Sequence, residues 1–468
     1  MKKFFIAAIF TFTAFTSFSQ SLSYQDLAIL FSQDDKNGTA RFTAMSGAFG
    51  ALGGDISSMN VNPAGLSVFN NSSFSGTLNS RNTEIKSNYY GANLINQNQF
   101  TNLSQAGAVL VFDSAYKSDW SKFAVGINYR ITKDFNNSFL AQGNSGVATF
   151  TEYPLDTNNP ALVYGIADEQ RFNNTFAGEL SEVNFGFSSV YDQKLHVGLG
   201  LNFYDLNFNQ QSTLTEFNSD VNGNELDVNL YQDNFTTGTG FSANLGFIYR
   251  ANQSFRFGLS YQTPTWFSEI IQDVNYAFDR DNFIDNTFGN GDVDYFIEND
   301  EYFESLGFEI SNYRLRTPSK LTASTAFIFG KNGLLSLDYT NKNYKGITLS
   351  EDNFSAQNQA FQNDFRNTHN LNIGTEWRLD KFSVRGGYSY EQTPFENNNF
   401  NPGSALQLDD VTGYSFGAGY NFGNFKVDFA YSNSNRTGAY NFYSGFNVDA
   451  TNLTLDNRFF TGTVSISL

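Results

Sequence analysis

Apolar and polar positions alternate strictly at the end of the chain. Phe460, Gly462, Val464, Ile466 and Leu468 form one set, and Thr461, Thr463, Ser465 and Ser467 the other. A period of two puts the sets on opposite faces of a strand. Tyr414-Phe416-Ala418-Tyr420-Phe422 against Ser415-Gly417-Gly419-Asn421 repeats the pattern, as do Phe123-Val125-Ile127-Tyr129, Phe255-Phe257-Leu259-Tyr261 and Phe382-Val384-Gly386-Tyr388-Tyr390 with their polar partners. The pattern predicts strands near 71–80, 106–115, 122–135, 182–192, 194–215, 237–250, 254–270, 313–329, 334–350, 369–379, 382–393, 411–422, 425–440 and 457–468, about 14 in all. Six connections are tight, near 116–121, 192–194, 251–254, 330–333, 380–381 and 423–424, and they alternate with longer ones. Short turns on one side and long loops on the other, with large apolar residues facing outward, describe an all-β transmembrane antiparallel barrel.

Residues 1–70 do not alternate. Lys2 and Lys3 precede an apolar run over 4–18, and Ser17 and Ser19 set up a cleavage before Gln20. That is a secretory leader over 1–19. Residues 20–70 carry an expected helix over 21–32, a run of small residues over 40–55, and Asn62-Pro63-Ala64-Gly65. Small residues permit close backbone packing and tight turns. A strandless segment of this length before a barrel, 71–468, reads as a plug inside the lumen.

Composition narrows the classes. The 52 Phe and 25 Tyr rule out a disordered chain. A formal net charge of −18 leaves no basic face for nucleic acid. No run of apolar residues after the leader is long enough for a membrane helix, so strands are the spanning route. Without cysteine there is no disulfide, thiolate metal site or Cys nucleophile. The two histidines, His196 and His369, fall at opposite ends of the expected barrel and cannot share a metal. Gly47, Gly50 and Gly53 are not followed by Gly-Lys-Ser/Thr, so they form no phosphate loop. No enzyme and no cofactor is expected.

Two groups of residues are candidates for function. Arg250, Arg256, Arg378 and Arg385 fall on the lumen face near the short-turn end, where a plug would dock. They either pair with Asp55 and Glu376 or form a general polar network wetting the lumen. The longest loops, 136–181 and 271–312, hold Phe139, Leu140, Phe283, Phe296, Phe303 and Leu306. Phe296, Phe303, Leu306 and Ile310 follow roughly helical spacing, so 292–310 is expected to be either a short amphipathic helix or a loop held by its own small core. These apolar residues are candidates for a ligand-capture cleft. Arg171 and Arg280 are the loop cations available to a carboxylate.

The stretch from Gly47 to Leu66, closing on Asn62-Pro63-Ala64-Gly65, resembles the hatch of the FadL/TodX family of outer-membrane transporters. Val384-Arg385-Gly386-Gly387-Tyr388-Ser389-Tyr390 with Gln392-Thr393-Pro394, and Tyr414-Ser415-Phe416-Gly417-Ala418-Gly419-Tyr420 with Asp428 and Tyr431, are similar to its late barrel strands. The resemblance implies a 14-stranded barrel in the outer membrane, an N-terminal hatch, and passive uptake of long-chain fatty acids or aromatic hydrocarbons. It also implies a monomer surrounded by outer-membrane lipid. Some members release ligand sideways at a kinked strand. The chain departs from the family in ending on Leu468 rather than an aromatic, and in having no proline in 122–135 to kink that strand. A FadL-like scaffold for secretion machinery and a polar porin are the alternatives. The barrel should show β-rich circular dichroism and heat-modifiable gel migration in detergent; a water-soluble monomer purified without detergent would contradict it.

Overall fold

The computed structural model describes residues 22–114, 119–274, 292–305, 309–396, 404–443 and 447–468. The expected leader, Phe283, Leu306 and Arg280 lie outside them. Fourteen antiparallel strands close into a barrel. They are β1 (Ser73–Tyr89), β2 (Ala92–Asp113), β3 (Trp120–Asp134), β4 (Ile166–Tyr191), β5 (Leu195–Ser219) and β6 (Glu225–Arg250). Next come β7 (Phe255–Gln262, resuming as Trp266–Val274), β8 (Glu309–Arg316, resuming as Lys320–Phe329) and β9 (Gly333–Lys342). The last are β10 (Thr368–Leu379), β11 (Phe382–Glu391), β12 (Val411–Asn421), β13 (Phe425–Tyr440) and β14 (Thr451–Ser467). Pairing of β1 with β14, from Ser73 opposite Ser467 to Asn88 opposite Asn452, closes the ring. Closure pairs the strand edges around the ring except where β2 and β3 part.

Burial follows the predicted alternation. On β5, His196, Asn202, Tyr204, Leu206 and Phe208 face the buried interior, while Leu199, Leu201 and Phe203 are exposed to the outside. Beyond Phe203 the outward residues become Asp205, Asn207 and Asn209. The apolar band therefore stops partway, and the wall continues above the membrane with both faces polar or packed.

That continuation accounts for most differences from the predicted boundaries. The loop expected between 80 and 106 is instead two long strands joined at Tyr90 and Gly91. Their outward residues there mix polar Ser80, Asn82, Glu84 and Asn93 with apolar Ile95 and Leu103, so no regular hydrophobic alternation marks them. Likewise 136–181 contains a short strand, Asn137–Gly143, and the upper part of β4. β7 and β8 break at Pro264 and Pro318, which cannot donate to a ladder. Thr265 and Thr317 bridge the break: Thr317 N donates to Thr265 O (3.0 Å) and Thr265 N to Thr317 Oγ1 (2.9 Å). The helix expected over 292–310 is not formed. Asp292–Ile297 and Asp300–Ser305 make a β-hairpin that pairs with β6. Its period is two: Val293, Tyr295 and Ile297 pack on the core, and β-branched and aromatic residues favour that conformation. A helix the pattern did not predict, Ser355–Asn363, lies in the loop after β9.

Residues 22–69 fill the barrel. A helix (Tyr24–Leu30) is capped by Ser23 and Asp26 in a reciprocal box, and a second covers Ala40–Ala44. Two 3-10 turns, Ile56–Asn60 and Pro63–Val68, complete the segment. It bonds to wall strands all round: Ala40 N to Thr463 Oγ1 (2.7 Å), Ser46 Oγ to Ser415 Oγ (2.8 Å), Gly50 N to Asp338 Oδ2 (2.9 Å) and Asn62 Nδ2 to Phe247 O (3.0 Å). Contact is backbone against backbone. A Cβ on wall residue Gly198 would lie 2.3 Å from Ala64 N, and one on Gly258 2.4 Å from Gly50 O. Introducing arginine at Leu199, in the outward band, should cost about 2–4 kcal/mol of folding stability. Urea unfolding in lipid vesicles measures it; an unchanged midpoint would place Leu199 away from lipid.

Candidate functional site

The sequence folds the Asn62-Pro63-Ala64-Gly65 motif as a cap. Asn62 Oδ1 accepts from Ala64 N (3.1 Å), and proline at the first position suits a turn whose amide needs no partner. Asn62 Nδ2 donates to Gly50 O (2.7 Å) as well as to the wall, so one side chain joins two turns of the plug to β6. Gly65 lies against Gly53 and Ser58, where a Cβ would meet Ser58 Oγ at 2.5 Å.

The four lumenal arginines divide. Glu376 on β10, 1% exposed, is the hub. Arg378 Nη2 (2.7 Å) and Arg385 Nε (2.7 Å) bind it from the wall, and Arg41 Nε (2.7 Å) binds it from the plug. Arg385 Nη1 also reaches Asp428 Oδ1 (2.6 Å). Arg41 lies outside any alternating segment and carried no signal in the sequence. Asp55 instead accepts from Thr39 Oγ1 (2.8 Å). Burial raises the Asp55 carboxyl above its ordinary value, with Arg41 opposing. Arg256 Nη1 donates to the plug carbonyl of Leu52 (3.2 Å), and Arg250 has no side-chain partner among the described residues.

Around the first plug helix, at the top of the lumen, the surroundings are apolar. Phe31 of the N-terminal segment meets Phe135 (5.8 Å) and Phe208 (5.5 Å) edge-on, and Phe139, Phe172 and Tyr440 continue the cluster. Phe139, predicted for a capture cleft, is in this buried cluster. Phe296 and Phe303 lie on the hairpin face opposite Tyr295 and Ile297, with Phe303 55% exposed. Arg171 stacks on Phe217 at 5.0 Å and pairs with Glu169, away from the lumen cavity.

Between the aromatic cluster and the plug is a cavity of about 110 Å³. Lys36, Asn37, Tyr344, Glu391, Arg436 and Phe459 are among its lining. Its acids are mostly paired: Lys342 binds Glu391 (2.9 Å) and Asp34 (3.5 Å), Lys320 binds Asp34, and Lys133 binds Asp35 (2.7 Å). Burial would raise the Asp34 carboxyl, but Lys320 and Lys342 override it and hold it well below the carboxylate range. Two cations have no carboxylate partner among the described residues. Arg436 donates only to Gln33 Oε1 (3.2 Å) and Asp409 O (3.0 Å), and its Nε is buried without a partner. Lys36 makes no ion pair; burial lowers its ammonium to about 8, with Glu391 opposing.

The wall beside the cavity is interrupted. β2 pairs with β3 only from Gln105 opposite Arg130 to Asp113 opposite Lys122, although β2 runs on to Ala92. Above that point β3 bulges at Ile131–Lys133, breaks at Phe135, and resumes inside as Asn137–Gly143. The bend needs no proline. Gly178, opposite it on β4, has φ +101°, and a Cβ there would meet Asn207 O at 2.3 Å. Side chains bridge the gap: Asn98 Nδ2 to Ser138 O (3.0 Å), Leu140 N to Asn96 Oδ1 (3.1 Å) and Asn102 Nδ2 to Asp134 Oδ2 (3.3 Å). The plug holds the freed edge of β3. Asp35 N donates to Thr132 O (2.7 Å), Asp134 N to Asp35 Oδ2 (3.0 Å) and Asn37 Nδ2 to Ile131 O (3.0 Å).

Solved structures share this barrel fold. A FadL homologue of Pseudomonas aeruginosa superposes with a TM-score of 0.58 at 15% identity, over 93% of this chain and 99% of that one. The chain has the FadL fold. The toluene transporter TodX of Pseudomonas putida superposes with a TM-score of 0.52 at 15% identity, over 93% and 100%. No protein-family profile matches the sequence, and no curated protein does. The likeness is therefore carried by shape, and the barrel is of the outer-membrane type. Replacing Glu376 by Gln would leave Arg41, Arg378 and Arg385 without their shared carboxylate. Removing one partner of a buried ion pair typically costs about 3–5 kcal/mol. Denaturant unfolding in detergent should show a loss of that order, and a loss under about 1 kcal/mol would mean water replaces the carboxylate.

Proposed function

We propose that the protein is a passive channel for hydrophobic compounds, closed by the segment 22–69 acting as a hatch. The order of the lumen carries this reading: an aromatic cluster around the first plug helix above, a cavity with two unpaired cations in the middle, and the rest of the plug below. An acyl chain would replace aromatic contacts in the upper cluster, and an anionic head would meet Lys36 and Arg436. Guanidinium and ammonium donors to a carboxylate give strong charge-assisted bonds. An open polar porin is disfavoured by a lumen so filled. Long-chain fatty acids fit both halves of this arrangement, and neutral aromatic hydrocarbons fit the upper half.

Exit sideways, through the gap between β2 and β3, is favoured over exit through the plug. The gap is closed by side-chain hydrogen bonds, each worth only about 0.5–1.5 kcal/mol net, whereas the plug is held by backbone contact and a buried ion cluster. The chain has no cysteine, so a disulfide between Asn102→Cys and Asp134→Cys would have no competitor. It should lower uptake reversibly with reductant; uptake unchanged by the disulfide would redirect exit through the plug.

The charge on Lys36 also sets a pH dependence. With its ammonium lowered to about 8, Lys36 is charged below that pH and neutral above it. Saturable binding of a fluorescent fatty acid to the purified protein should weaken from pH 7 to pH 9, while binding of a neutral fluorescent hydrocarbon should not. Lys36→Met should remove the difference. No saturable binding of either probe would refute the transport reading.

A further inference from the structure

Beneath the last turn of the plug, on the arc of wall from β3 to β7, three cations and a histidine share the lumen face. Strand register makes them neighbours. Arg250, the last residue of β6, stands opposite Arg256 on β7. His196 on β5 stands opposite Ile248, two residues from Arg250 on the same face. Lys122 on β3 and His196 both flank Val190 of β4. Cross-strand neighbours of like charge repel. Asp113, opposite Lys122, is at the far end of this row from Arg250.

Two of these cations have work within the fold. Lys122 Nζ donates to Phe69 O (2.7 Å), and Arg256 Nη1 to Leu52 O, so each neutralises a carbonyl at the end of a plug turn. Arg250 does neither. Its guanidinium makes no hydrogen bond or ion pair among the described residues, and its Nε is buried without a partner. His196 is 1% exposed; its Nδ1 lies 2.7 Å from Ser67 Oγ of the plug, and its Nε2 is also without a partner. A sheltered charge without a counter-charge is costly unless something supplies one. A planar guanidinium offers paired donors whose spacing fits two oxygens of a carboxylate or phosphate.

We propose that Arg250, with Arg256 and His196 beside it, forms an oxyanion-binding site at the periplasmic mouth of the lumen, against the plug turn Pro63–Val68. Its ligand class is a carboxylate or phosphate group. The source is either a free inorganic anion or the acidic head of an amphiphile that reaches this mouth from the periplasmic side. The inference does not depend on the transport reading, since it rests on unneutralised cations in the wall. Bound anion offsets the repulsion between Arg250 and Arg256 and steadies the plug turn that Ser67 ties to His196.

The test uses the full-length mature protein in non-ionic detergent. Its unfolding temperature, followed by heat-modifiable gel migration, is titrated with sodium phosphate against sodium chloride at equal ionic strength. Phosphate should stabilise the wild type saturably. Arg250→Gln should fold, be more stable than wild type without phosphate, and bind phosphate at least tenfold more weakly. Arg250→Lys, which keeps the charge and loses the fork, should also bind more weakly. Arg314→Gln, on the outer wall, should match wild type. Sodium decanoate then competes with phosphate, with decanol as the neutral control. Competition by decanoate alone assigns the amphiphile's acidic end, and no competition assigns the free anion; both support the site. No saturable phosphate or decanoate effect in the wild type, or equal affinity in Arg250→Gln, overturns it.

Discussion

The structure depends on how closely the plug's backbone can approach the wall. A 14-stranded ring encloses more space than its own inward side chains fill, and residues 22–69 occupy it only because the wall recedes to bare backbone beneath them. Gly198 and Gly258 mark where Ala64 and Gly50 rest. With the two backbones in contact, polar groups on both sides must find partners across the interface, since water is excluded. Asn62, Ser46 and Arg41 supply them. The plug is therefore packed as a domain core is packed, with polar bonds made to the wall as well as to itself.

This packing also sorts charge along the lumen. Where the plug is thickest, Glu376 and Asp428 are matched by arginines from both bodies. Higher up, Asp34 and Asp35 belong to the plug and their lysines to the wall, so pairing is complete only while the segment stays seated. Lys36 and Arg436 at the cavity, and Arg250 beneath the last plug turn, have no acid within ion-pair distance among the described residues. Uncompensated charge thus appears at two levels of the lumen, one beside the cavity and one below the plug.

How much of this was legible in the sequence follows from which surfaces each strand faces. Strands such as β5 and β12, with lipid outside and a polar lumen inside, show their alternation and lie within a few residues of the expected bounds. The upper part of β2, with Asn96 and Asn98 inside and Gln97 and Gln99 outside, has water on one face and polar side chains on the other, so its letters do not alternate in hydropathy. The hairpin at 292–305 misled because four apolar residues can satisfy a helical spacing by chance when the period-two residues Val293, Tyr295 and Ile297 lie among them. The kink in β3 had no proline to announce it, since its cause, Gly178, sits on the neighbouring strand. Of the candidate site residues, Arg256 bonds the plug carbonyl of Leu52, while Arg378 and Arg385 share Glu376 with Arg41 of the plug. Lys36, Arg436 and Arg41 were missed because nothing local distinguishes a cation in an irregular segment from one in solvent.

The lengths of β4 and β6 set how far the molecule stands out from the cell. Each has 26 residues, which at about 3.3 Å per residue and a tilt near 40° is roughly 60 Å of height, against an apolar band about 25 Å tall. More than half of that wall therefore rises clear of the bilayer as a rigid chimney. An apolar molecule arriving from outside would first touch protein well above the sugar-coated lipid surface, a hydrophilic layer in which it dissolves poorly. On the proposed transport reading, strand length acts as reach, carrying the entrance across the layer that a hydrophobic solute crosses most slowly on its own.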